Sequence, residues 1–121
     1  MKVEIPMTLP SLNEYIYACK VQRGRWNKGN EMKRTLQYKL TPYLKDLGTY
    51  DKPVKIEFTW IEPNKKRDLD NICWAKKFIL DAMVNTEIIP NDNCNYVKDF
   101  MDHFGYDKEN PRIIVEVKEY E

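Results

Sequence analysis

Residues Pro53 to Glu62 alternate, with Val54, Ile56, Phe58 and Trp60 apolar against Lys55, Glu57 and Thr59, the period of two that a strand with one buried face requires. A shorter alternation over residues 2 to 8 (Val3, Ile5, Met7), closed by Pro10, predicts another strand. Two more are expected at Tyr96 to Phe104 and Arg112 to Tyr120. Elsewhere the period becomes helical. Met32, Leu36, Leu40 and Leu44 recur four apart between Asn30, read as an N-cap, and Gly48, read as a terminator, with Pro42 expected to bend or divide the helix. From about Asn71 to Val84, residues Ile72, Ala75, Phe78, Ile79, Ala82 and Met83 share one arc at about 100° per residue, which predicts a second main helix. Ser11 with Glu14 makes a capping box that opens a short helix. Residues 20 to 30 read as a mobile basic loop around Trp26. The expected class is α+β or α/β in two layers: a mixed sheet of about four strands with two main helices packed against it.

A chain of 121 residues without repeat or linker is read as a single domain, 1–121. No apolar run approaches the roughly 20 residues of a membrane span, so no membrane partner is expected. Glu4 and Pro6 interrupt any signal-peptide core, and Cys19, Cys73 and Cys94 form an odd set without CxxC spacing, which points to a reducing cytoplasm. Net charge is only +1, yet residues 1 to 67 carry 14 Lys or Arg against seven Asp or Glu, and residues 68 to 121 carry six against 12. Such a split serves either solubility and self-association, or a basic surface for a phosphate backbone beside acids for a cation.

The segment Lys65-Lys66-Arg67-Asp68-Leu69-Asp70-Asn71 bears on that choice. In extended chain Asp68 and Asp70 face one side while Leu69 points into the core, and adjacent carboxylates suit Mg²⁺ or Mn²⁺. The same residues also suit a helix N-cap and ordinary ion pairs. On the helix that follows, Lys77 and Asp81 lie within about 20° of the line through Asp70, whereas Lys76 lies about 120° away. Asp92, in the loop IIPNDNC, is an ordinary turn aspartate alone and a third carboxylate beside the other two. His103, the only histidine, is expected to be structural, and no glycine-rich phosphate loop is present.

Taken together, KKRDLDN, the helix AKKFILDAM and the loop IIPNDN resemble the RusA family of Holliday junction resolvases and related phage and prophage endodeoxyribonucleases. LPSLNEY and the basic segment after it share the likeness, which covers roughly residues 5 to 100. The resemblance implies a Mg²⁺-dependent (or Mn²⁺-dependent), structure-selective nuclease that acts as a homodimer on branched DNA, each subunit cutting one strand of a four-way junction. Asp68 and Asp70 match the paired aspartates and Asp92 the later acidic turn, so these three are the expected catalytic metal ligands. The family lysine stands one helical turn past the second aspartate, where this chain has Trp74; alignment from the downstream LDA segment puts Lys77 there, with Lys76 the other choice. Arg23, Arg25, Lys28, Lys65, Lys66, Arg67 and Lys76 are the expected DNA contacts. The competing readings are a non-catalytic junction-binding dimer, a nuclease acting on other branched DNA, and a magnesium phosphohydrolase of small nucleotides.

Overall fold

The computed structural model describes residues 1–121. In chain order its elements are β1 (Lys2–Ile5), α1 (Leu12–Cys19), β2 (Gln22–Arg23), β3 (Trp26–Asn27), α2 (Lys28–Leu44), β4 (Val54–Glu62), α3 (Leu69–Cys73), α4 (Lys76–Asn85), β5 (Val97–Tyr106) and β6 (Arg112–Glu119). Four strands form one mixed sheet in the order β1-β6-β4-β5, and β2 pairs with β3 in a separate hairpin. β6 is antiparallel to both β1 and β4, whereas β5 is parallel to β4. A parallel neighbour requires a crossover, and α3 and α4 supply it. The expected α+β architecture is the observed one.

The alternation of β4 is realised. Val54, Ile56, Phe58 and Trp60 are buried and pack with Ile113, Val115 and Val117 of β6. The six arc residues, Ile72 to Met83, are all buried too, closing a core of 24 residues between sheet and helices. Leu36, Leu40 and Leu44 of α2 join the same core.

Four local expectations are corrected. The second main helix is two: Ala75 N–H donates to Ile72 O at 3.3 Å, Lys77 to Trp74 O at 3.1 Å and Phe78 to Ala75 O at 3.0 Å, so a tight i to i+3 turn separates α3 from α4. Trp74 lies in this turn, its indole donating to Pro10 O at 3.2 Å and stacking on Tyr15. The N-cap of α2 is Asn27, whose side chain accepts from Asn30 N–H at 3.1 Å, so the helix begins earlier than Asn30. Pro42 leaves α2 continuous to Leu44, because its missing N–H falls in the last turn, opposite Tyr38, which is 83% exposed. Finally, the basic segment is a hairpin. Gly24 has φ 58° as the first of two turn residues, the conformation a tight β2–β3 reversal demands and a side chain resists.

Candidate functional site

Open α/β sheets hold ligands beyond the carboxyl ends of their parallel strands. β4 reaches that end at Glu62, and the chain continues directly to Arg67, Asp68 and Asp70. Arg67 fixes this exit. Its Nη1 donates to Leu9 O at 2.8 Å, its Nη2 to Glu14 Oε1 at 2.7 Å, and the guanidinium faces Glu62 at 3.6 Å. Glu14 thereby serves two structures, since it also completes the capping box with Ser11. Arg67, expected on DNA, is instead committed to internal partners that a phosphate would have to displace.

Glu62 is 6% exposed. Burial pushes its carboxyl above the usual range, the Arg67 guanidinium pulls it back and Glu14 adds to the rise. An acid whose folded-state pKa is raised holds its proton more tightly when folded, so stability is lost as pH climbs from the ordinary glutamate range through the folded value. Arg67→Met removes the opposing cation. It is expected to cost about 1–2 kcal/mol near neutral pH, allowing for the partial exposure of Arg67, and distinctly less in acid. Thermal melts at the two pH values check this; an equal loss at both contradicts the assignment.

Asp68 caps α3 with extended backbone (φ −71°, ψ 153°), but its side chain makes no cap hydrogen bond. Asp70 Oδ1 accepts from Asn71 N–H at 3.0 Å. Both carboxylates are exposed. Leu69 was expected in the core and is 49% exposed, because the chain is already helical there and the two-residue alternation stops at Asp68.

Asp92 belongs to a loop shaped by asparagines: Asn91 Oδ1 accepts from Asn93 N–H and Asn93 Oδ1 from Asn95 N–H, each at 3.0 Å. Val97 pairs with Val54, so this loop enters the sheet at the end opposite Glu62. Asp92 reaches the start of α4 through Lys77, whose Nζ lies 3.3 Å from Asp92 Oδ2 and 2.9 Å from Asp81 Oδ1. The hydrogen bond to Asp81, then that to Asp92, raises the Lys77 pKa against the opposing effect of burial. Helix phase aligns Lys77 with Asp70 and Asp81; the structure pairs it with Asp81 and with Asp92.

No group of three or more His, Cys, Asp or Glu side chains in the chain is gathered so as to hold a metal ion. The expected convergence of Asp68, Asp70 and Asp92 is therefore not preformed in the chain. The donor chemistry still fits Mg²⁺, which commonly takes one or two protein carboxylates and completes its shell with water and substrate phosphate.

Lys76 is placed elsewhere. Its Nζ meets Asp102 Oδ2 at 2.5 Å, and Asp102 Oδ1 accepts from Trp60 Nε1 at 2.8 Å. Expected as a DNA contact or as the family lysine, Lys76 is tied to an acid that sequence reasoning did not single out. The available signal was weak: Asp102 sits in a largely exposed strand without clean alternation, with nothing to mark its partner 26 residues earlier.

The other basic residues remain on the surface. Arg23 and Arg25 flank Gly24 at the exposed hairpin tip, and Lys28 opens α2. Asn27 locks the hairpin down by donating to Cys19 O at 3.0 Å and Gln22 Oε1 at 2.8 Å. Lys65 and Lys66 are exposed, Lys65 lying 5.3 Å from the centre of the Tyr106 ring. Among all these residues only Lys28 borders a hollow, of about 270 Å³, shared with Pro10 and Met32. The acids line none of the hollows, including the largest, of about 650 Å³, beside Thr49 and Asp51. Open carboxylates beside exposed cations suit an extended polymer better than an enclosed small molecule. His103 stands half exposed on β5, its Nε2 3.5 Å from Glu57, away from any metal-binding group.

No helix is long and apolar enough to cross a membrane. A comparison with curated proteins finds no match. The family model described as Endodeoxyribonuclease RusA matches residues 8–118, a span that takes in α1 with its capping box, the basic hairpin, the acidic exit of β4, the Asp92 loop and the two long C-terminal strands. On that match the chain belongs to the RusA endodeoxyribonuclease family.

Proposed function

We propose that this chain resolves four-way (Holliday) junctions by paired phosphodiester hydrolysis, as a homodimer that depends on Mg²⁺ or Mn²⁺. The family match over residues 8–118 carries the reading, and the open acids beside exposed cations support it. Asp68 and Asp70 would hold the cation, with Asp92 as a third carboxylate when drawn from Lys77. When bound, such a cation would supply a water of lowered pKa and neutralise charge on the phosphate under attack.

The side chains divide the remaining work. Lys77 stands beside Asp92, where its ammonium stabilises the developing phosphorane charge or orients the attacking water. Arg23, Arg25, Lys28, Lys65 and Lys66 hold backbone phosphates, which fixes register without reading sequence. A two-fold dimer matches the pseudo-symmetry of a four-way junction and presents one site to each of two strands. Soluble phage, prophage or bacterial cytoplasm is the setting this reading assigns.

The double variant Arg23→Ala with Arg25→Ala is expected to weaken junction binding and to flatten its dependence on the logarithm of salt concentration by about one to two units. A fluorescence titration over several salt concentrations measures the slope. An unchanged slope would remove the hairpin from the DNA surface.

A further inference from the structure

Beneath the α3–α4 turn lies a charge pair that the proposed chemistry does not use. Asp102, in the middle of β5, commits one oxygen to Trp60 Nε1 at 2.8 Å and the other to Lys76 Nζ at 2.5 Å. The two side chains are only 20% and 19% exposed. The Lys76 ammonium also lies 5.0 Å from the Phe100 ring centre and 5.6 Å from that of Phe58. Partly desolvated and held on every side, this pair is screened less than a surface ion pair and keeps one geometry. Lys76 is the first residue of α4, three residues past Cys73, and Cys73 lies one helical turn past Asp70 in α3. The Cys73 thiol, raised first by burial, is raised further by Asp102 and Asp70 and lowered by Lys76, so the field of the pair reaches the turn that carries Asp70.

We propose that Asp102 and Lys76 are positioning residues: a fixed charge couple that holds the α3–α4 turn against β5, balances the field at Asp70, and thereby sets how tightly the acidic segment takes a divalent cation. This rests on the reading of Asp68 and Asp70 as the cation-binding carboxylates.

A couple of this kind gives opposite results when broken from its two sides. Asp102→Asn keeps an acceptor for Trp60 and leaves the Lys76 ammonium uncompensated at the turn that follows Asp70, which disfavours a cation. Lys76→Met keeps the aliphatic stem over Phe58 and Phe100 and leaves the Asp102 carboxylate uncompensated, which favours one. The double variant restores neutrality.

The test is Mn²⁺ binding to the full chain without DNA, followed by electron paramagnetic resonance of the free ion, with a thermal melt of each variant. Asp102→Asn is expected to raise the dissociation constant about three- to tenfold, Lys76→Met to lower it about threefold, and the double variant to fall within about twofold of the unmodified chain. If Lys76→Met melts below the assay temperature, Lys76→Gln replaces it with the same expected sign. Shifts in one direction for both single variants, or none in either while Asp70→Asn still abolishes binding, overturn the couple alone. Binding absent from the unmodified chain, or unaffected by Asp70→Asn, overturns the cation reading and the couple with it.

Discussion

Asp70→Asn is expected to lower cleavage of a synthetic four-way junction by at least about 100-fold in Mg²⁺ while leaving junction binding within a few-fold. The substitution keeps size and a carbonyl acceptor, so Asn71 N–H retains a partner and α3 has no structural reason to unwind. What is lost is one negative charge at an exposed position, and a divalent cation held by few protein carboxylates cannot spare one. Binding depends on phosphate contacts made by other residues, and removing an acid beside a polyanion does not weaken them. Turnover close to that of the unmodified chain would remove Asp70 from the site.

Phe78→Ala is expected to be the most damaging single change to stability, costing about 3–5 kcal/mol. Phe78 is 1% exposed and is the centre of an aromatic cluster, meeting Trp74 edge-on at 4.9 Å and Tyr15 at 5.5 Å. These rings join α1 to the α3–α4 turn, and the Trp74 indole continues the link to Pro10. Truncation leaves a cavity where α1 meets the α3–α4 turn, and a close-packed core relaxes only partly to fill it. A fall in melting temperature of roughly 10–20 °C is the expected reading, with Phe78→Leu intermediate. A loss below about 1 kcal/mol would mean that the cluster contributes little to the core.

The layers of the fold were legible because burial imposes a period. The positions of β4 from Val54 to Trp60, and the arc from Ile72 to Met83, sit where their spacing puts them, since an apolar side chain on the wrong face forfeits its burial. What spacing could not show was any choice made by a single distant hydrogen bond. Trp74 sits at the turn that splits the helix and donates to Pro10, 64 residues earlier, and the partners of Lys77 are Asp81 and Asp92 rather than Asp70. Lys77 comes to Asp92, 15 residues further on, through the loop that follows α4. Arg67 and Lys76 looked like surface cations because charge alone does not reveal a distant acidic partner; buried Glu62 and half-buried Asp102 supply one each. Leu69 failed for a different reason. The extended-chain alternation ends at Asp68, which begins the helix that carries Leu69.

Strand-resolved cleavage of a four-way junction, a replication fork and a linear duplex of the same sequence, each in Mg²⁺ and in EDTA, tests the central claim most directly. Paired nicks placed symmetrically about the junction centre, little cutting of linear duplex, and silence in EDTA are the expected result. Cleavage that persists in EDTA, or that falls equally on all three substrates, would contradict it.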